Sequence, residues 1–199
     1  MRILTLDQPH ARLVALGVKP YETRSWATAY RGLVAIHAGV IRWNGCAALL
    51  PGASQAGKTT LIGELVARGA VYYSDEYALL DSGGRVHPYP RALFVRTSGG
   101  WRHPKLPSTG NGAAAESDAP VRLIAFLKWI PGGKWNVRPI PQSEALLALL
   151  GNSPRAMETD PGMPRALRPS VSSAVCYAGE RGEAAEAAGH LIQLLTDLR

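Results

Sequence analysis

Along the chain, short uninterrupted apolar runs alternate with stripes at helical spacing. Cys46-Ala47-Ala48-Leu49-Leu50 is the first clear run and predicts a short buried strand. Leu61, Leu65 and Val66 then recur at helical spacing until Gly69 supplies a stop. Val71 to Leu80 predicts a tyrosine-rich strand, with Asp75 and Glu76 at its predicted end. Val86 to Val95 predicts an extended segment that Pro88 and Pro90 confine to an edge. Thr97 to Pro120 is rich in Gly, Ser and Ala and reads as a loop.

Val121 to Ile130, the turn Pro131-Gly132-Gly133 and Lys134 to Ile140 predict an antiparallel hairpin. Ser143 is placed to cap a helix running to Leu150, with Gly151 ending it. Asn152 to Pro169 holds four prolines without periodicity and reads as loop, and Val171 to Tyr177 as a strand. Glu183 to Leu198 predicts a closing helix with Ala187, Leu191, Leu194 and Leu195 on one apolar stripe. Parallel-type and hairpin connections together predict an α/β domain with a mixed sheet.

The turn between the first strand and the first helix changes the picture from fold to chemistry. Gly52-Ala53-Ser54-Gln55-Ala56-Gly57-Lys58-Thr59-Thr60 satisfies G-x-x-x-x-G-K-[ST] in the required order of strand, loop and helix. Gly52 and Gly57 allow the backbone to turn its amides toward phosphate oxygens, and the helix from Lys58 adds its positive end. Lys58 supplies a mobile charge for the outer phosphates of ATP, the Thr59 hydroxyl a ligand for Mg2+, and Thr60 supports the helix start. The competing explanation is a glycine-rich turn with a surface lysine.

Such a loop needs carboxylates to organise a metal and to accept a proton. Asp75 is the candidate catalytic group and Glu76 a metal or supporting ligand, at a strand end where open α/β sheets contact ligands. A solvated strand end is the alternative, and Asp81 reads as a turn residue before Gly83-Gly84.

The 199 residues are 46% apolar, enough for one domain and a small appendage. No stretch approaches bilayer length and the polar N-terminus has no leader pattern, so a cytoplasmic protein without membrane contact is expected. Cys46 and Cys176 lack partners at metal-ligand spacing and read as reduced thiols. Formal charge is +7, and residues 82–115 contain no acid but carry Arg85, Arg91, Arg96, Arg102 and Lys105. That segment either neutralises phosphate, with Arg91 or Arg96 as candidates, or is a solvated basic loop. Its few aromatics argue against a single-stranded nucleic acid partner.

From His37 onward the chain resembles the kinases related to HPr kinase/phosphorylase, in particular short bacterial members that keep only the catalytic domain. The resemblance rests on His37-Ala38-Gly39-Val40, on Leu50-Pro51 with the loop itself, on Gly69-Ala70 and on Ser74-Asp75-Glu76-Tyr77. It implies a mixed-sheet phosphate-loop fold like the C-terminal part of phosphoenolpyruvate carboxykinase. It also implies that Lys58 binds phosphates, Thr59 contacts the metal and Asp75 activates a serine hydroxyl of a protein or peptide. His37 matches a histidine near that site, or serves as a buried structural histidine. HPr kinases carry a further acid and a glycine signature beyond the acidic pair, where this chain has its basic segment.

Residues 4–38 resemble instead the opening of an ASCH domain, a small β-barrel family linked to RNA. Gly17-Val18-Lys19-Pro20-Tyr21-Glu22-Thr23-Arg24 carries its G-x-K-x-x-E-x-R motif, followed by Trp26 and Arg31 to Ala38. A few dozen residues cannot close such a barrel. The expected organisation is a truncated ASCH-like segment over 1–38 and a kinase-like domain over 39–199. The expected activity is ATP- and Mg2+-dependent serine phosphorylation; the alternatives are a non-catalytic ATP-binding module and an RNA-binding protein built on Lys19, Glu22 and Arg24.

Overall fold

The computed structural model describes residues 33–52, 56–90, 96–97, 100–101, 115, 117–153 and 162–198, with backbone alone at 96–97 and 100–101. Among the described residues, ten strands and four helices follow one another. The first strands are β1 (Val34–Trp43), β2 (Cys46–Pro51), β3 (Val71–Ser74), β4 (Tyr77–Leu80) and β5 (Arg85–His87). The remaining strands are β6 (Arg96–Thr97), β7 (Gly100–Trp101), β8 (Ala119–Trp129), β9 (Asn136–Pro139) and β10 (Val175–Arg181). The helices are α1 (Lys58–Ala67), α2 (Gln142–Leu150), α3 (Met163–Ser172) and α4 (Ala184–Asp197). The expected α/β class with a mixed sheet is what forms: β2, β8 and β10 run parallel, while β1 and β9 pair antiparallel with their neighbours.

The sheet lies between two helical layers. On one face α1 and α4 pack on Ile41, Ala48, Leu50, Tyr72, Leu123 and Ala125; on the other α2 and α3 cover Val40, Leu49, Val121 and Ile124. Strands covered on both faces have no polar side to alternate with, which explains the unbroken apolar run of β2. In α1, Leu61, Ile62 and Leu65 are fully buried, each burial worth about 1.5–3 kcal/mol. The helix comes close enough that a Cβ on Gly39 would lie 2.9 Å from Ile62 Cγ1, so β1 requires a glycine there.

Val71 to Leu80 is one extended path with a bend rather than one strand. Val40 pairs with Ser74 and His37 with Tyr77, so Ala38-Gly39 on β1 lie opposite the bend at Asp75-Glu76, and the β1–β3 register shifts between Val40 and Ile41. The bend forms because Ser74 Oγ accepts the amides of Glu76 and Tyr77, both at 3.1 Å. β1 itself continues through residues 38 and 39, where the sequence resemblance changes. Residues 1–32, with the whole G-x-K-x-x-E-x-R motif including Lys19, Glu22 and Arg24, lie outside the described residues.

Three sequence expectations between residues 121 and 181 are corrected. The 121–140 hairpin does not form: β10 lies between β8 and β9, parallel to the first and antiparallel to the second. β9 is mostly exposed and ends in Pro139, which suits an edge, while β8 is buried and takes inner neighbours on both sides. Residues 163–172, read as loop and strand, are the helix α3; Met163, Leu167 and Val171 form its buried stripe, and the prolines concealed it. Pro164 sits in the first turn, where its missing amide costs nothing, and the helix tolerates Pro169 through the packing of that stripe. β10 accordingly spans Val175–Arg181 rather than 171–177.

The α2 helix forms where expected, but Pro141 rather than Ser143 occupies its N-cap and Gly151 keeps a right-handed conformation. Of the extended segment 86–95, β5 uses Arg85–His87, and 91–95 lie outside the described residues. The predicted loop 97–120 gives Ala119 and Pro120 to β8, and 102–114 lie outside the described residues. Cys46 and Cys176 are free thiols, and burial pushes Cys176 up to about 11.

Candidate functional site

Three parallel strands end on the loop that joins β2 to α1. This is the edge at which open parallel sheets bind ligands, because helix N-termini and strand-end loops converge there. The loop departs from β2 at Gly52, whose amide donates to His37 O at 3.2 Å. It re-enters the described chain at Ala56 and reaches Gly57, the N-cap of α1, at φ 75 and ψ 15. A side chain at Gly57 would be strained by that φ, and its Cβ would lie 2.7 Å from Arg181 Nη2. Gly57 makes no side-chain cap hydrogen bond, and the first turn of α1 points its amides toward the loop, where a helix N-terminus favours an anion. Residues 53–55 lie outside the described residues.

Lys58 arches back over this opening. Its Nζ donates to Gly52 O at 2.7 Å, bridging the two ends of the loop. Burial lowers the Lys58 ammonium below its ordinary value, and the Asp75 carboxylate opposes that fall. One residue on, Thr59 Oγ1 donates to Asp75 Oδ2 at 3.2 Å, while Tyr72 OH donates to Asp75 Oδ1, also at 3.2 Å. The bend after β3 thus brings its carboxylate to the first turn of α1. Thr60 is exposed on the helix.

His37 flanks the same opening from β1. Its ring lies 4.5 Å from that of Tyr77, tilted by 34°, and burial, then the Lys58 charge, lower its pKa. Glu76 is held by its backbone, accepting from Ala38 N at 3.1 Å and donating to Ser74 Oγ. The expected group His37, Lys58, Thr59 and Asp75 therefore converges around Gly52 and Gly57. Of the basic candidates, Arg91 lies outside the described residues and only the backbone of Arg96 is described.

Two neighbours of this group were not anticipated. Tyr72 precedes Asp75 by three residues, and its hydroxyl reaches the carboxylate only because of the bend. Arg181 ends β10, is 2% exposed, and donates from Nη2 to Gly57 O at 3.0 Å. An arginine closing an apolar strand was a usable signal, but the strand had been placed too early in the chain.

The loop corner combines backbone amides, a helix N-terminus, Lys58 and a hydroxyl-carboxylate pair. That donor set fits a polyphosphate with a hard divalent cation: oxygen ligands from Thr59 and Asp75 for the metal, nitrogen donors for the anion. A second polar cluster lies at the β4–β5 turn. One ligand atom each from Asp81, His87 and Asp118 lies within 4.8 Å of the others. There Asp81 Oδ1 accepts the amides of Gly83 and Arg85 at 2.9 Å, as expected of a turn residue, and Oδ2 meets His87 Nε2 at 2.9 Å. Arg85 is bonded to Asp118.

No protein-family model matches the chain, and no curated protein matches it. Among solved structures it is similar to the Hpr(Ser) kinase/phosphatase from Coxiella burnetii, with 15% identity, a TM-score of 0.42, and 82% of this chain and 92% of that chain covered. A likeness of that size says nothing about activity. No helix among the described residues is long and apolar enough to cross a membrane.

Proposed function

We propose that the protein is an ATP- and Mg2+-dependent kinase that phosphorylates a serine hydroxyl of a protein or peptide. The observation that carries this is the Thr59–Asp75 hydrogen bond set beside Lys58 at the N-terminus of α1. In this reading the amides of the loop from Gly52 through Ala53, Ser54, Gln55, Ala56 and Gly57 to Thr60 hold the phosphates, and Lys58 leaves Gly52 O to meet the outer ones. Thr59 and Asp75, with Glu76 supporting, would hold Mg2+, which when bound neutralises charge on the phosphates. Asp75 accepts the proton of the incoming hydroxyl, and His37, whose pKa burial and then the Lys58 charge lower, flanks the loop from β1. Residues 39–199 carry this chemistry, and residues 34–38 contribute the first half of β1 to the sheet.

The non-catalytic ATP-binding module is favoured by one fact: both Asp75 oxygens accept hydroxyl donors, as suits a carboxylate that organises a metal without taking a proton. Incubation with terminally labelled ATP, Mg2+ and a panel of serine peptides separates the two. The kinase reading expects label on peptide serine; saturable ATP binding with no labelled product under any peptide supports the module. Absence of ATP binding removes both.

A further inference from the structure

Arg181 is a buried cation that feels the Glu183 carboxylate only through its charge. Its guanidinium is 2% exposed, and its hydrogen bonds go to two neutral carbonyls, Gly57 O at 3.0 Å and Gly182 O at 2.9 Å. Its Nε has no hydrogen-bond partner, and among the described residues no carboxylate forms an ion pair with it. A buried charge is ordinarily paired, because desolvation otherwise outweighs what packing returns. Arg181 is instead hydrogen-bonded to Gly57 O at the N-terminus of α1, where its charge adds to the positive end of the helix. Such an arrangement is costly for the free protein and favourable once a polyanion occupies the loop.

The bonds also say how Arg181 acts. Gly57 O accepts from Leu61 N at 3.2 Å and from Arg181 Nη2, so both lone pairs of this carbonyl are used. In a planar trans peptide the Lys58 amide points opposite to that oxygen. Pinning the carbonyl from two directions therefore fixes the Lys58 N–H to face out of the helix, into the loop. Arg181 is itself anchored, since its carbonyl accepts Ile130 N at 2.9 Å and Nη1 donates to Gly182 O.

We propose that Arg181 is the positioning residue of the phosphate loop, holding the Gly57–Lys58 peptide in its anion-binding orientation and supplying a buried positive charge for a nucleoside triphosphate. This rests on the nucleotide reading above and extends it to the end of β10, 124 positions along the chain from Gly57. Arg181 does not touch the ligand; it acts through the backbone of Gly57 and through its field.

The test compares wild type, Arg181→Lys and Arg181→Met for binding of Mg-ATP and of inorganic tripolyphosphate by calorimetry, with amide hydrogen exchange over 57–61 in nucleotide-free protein. Arg181→Met is expected to weaken both ligands about 10- to 100-fold, the range of one hydrogen bond to a charged group. It is also expected to speed exchange at Leu61 while β8 and α4 stay protected. Arg181→Lys keeps the charge without the fork and is expected to fall between the two in affinity. Should Arg181→Met not fold, Arg181→Lys carries the comparison, and wild-type affinity together with wild-type exchange in that variant overturns the proposal. Equal binding and equal exchange in a folded Arg181→Met protein removes the role of Arg181 alone. A wild type that binds neither ligand removes the nucleotide reading, and this inference with it.

Discussion

The two polar corners of the molecule are built from the same parts and differ in how their charges are met. At the loop corner stand His37, Lys58, Asp75 and Arg181; at the β4–β5 corner stand His87, Arg85, Asp81 and Asp118. In the second, Arg85 pairs with Asp118, and His87 with Asp81, whose other oxygen takes two amides. Burial there acts to raise the Asp81 carboxyl, but the Arg85 amide, the His87 ring and the Gly83 amide together bring it below its ordinary value. Every charge is answered locally. At the loop corner Arg181 has only carbonyl partners, and Lys58 spans from helix to Gly52 O. A corner whose ion pairs close on themselves holds a turn together; a corner whose buried guanidinium is met by carbonyls is suited to a ligand of opposite sign.

Substitutions that strike one corner and spare the other sharpen this contrast. The largest effect is expected for Asp75→Asn, which keeps the size of the side chain and removes its charge. Phosphotransfer should fall about 10²- to 10⁴-fold, the usual range for loss of a proton-accepting group, with ATP affinity changed little in calorimetry. Transfer at the wild-type rate would show that Asp75 is not the proton acceptor. Lys58→Ala comes next. ATP binding should weaken about 10- to 100-fold, as for a lost charge-assisted contact, while the thermal midpoint stays near that of the wild type.

Asp81→Ala should do the reverse. Two amides and an imidazole lose their acceptor, at about 1–2 kcal/mol, which a thermal melt reads as a drop of about 2–8 °C for a chain of this size. ATP affinity should not move; if it does, the two corners are coupled and the contrast fails.

The smallest effect is a pH slope. Burial and then Lys58 hold His37 below its ordinary value of 6.5, so the unfolded chain takes up this proton first as pH falls. The contribution is present above the ordinary value and is lost as pH drops from there toward the lowered one. The melting midpoint of the wild type should therefore decline more steeply across that window than that of His37→Gln. Parallel slopes would place His37 outside the pH response.

How much was legible depended on the range of the interactions. The strand, loop and helix from Cys46 to Gly69 could be read because apolar spacing and glycine position are local, and the convergence of Lys58, Thr59 and Asp75 followed from the order of elements. The helix at 163–172 was concealed because prolines are locally unfavourable, and only the burial of Met163, Leu167 and Val171 reverses the balance. Tyr72 was missed because its reach to Asp75 depends on a bend made by the Ser74 hydroxyl.

Local patterns alone settle the α/β class and set a G-x-x-x-x-G-K-T stretch between β2 and α1, because each is written in spacings shorter than one strand and one helix. Only the tertiary structure decided that β10 lies between β8 and β9 and that its last residue, Arg181, reaches Gly57 across 124 positions of chain. Strand order in a sheet depends on which edges gain most from burial, a competition among distant segments that no local pattern records.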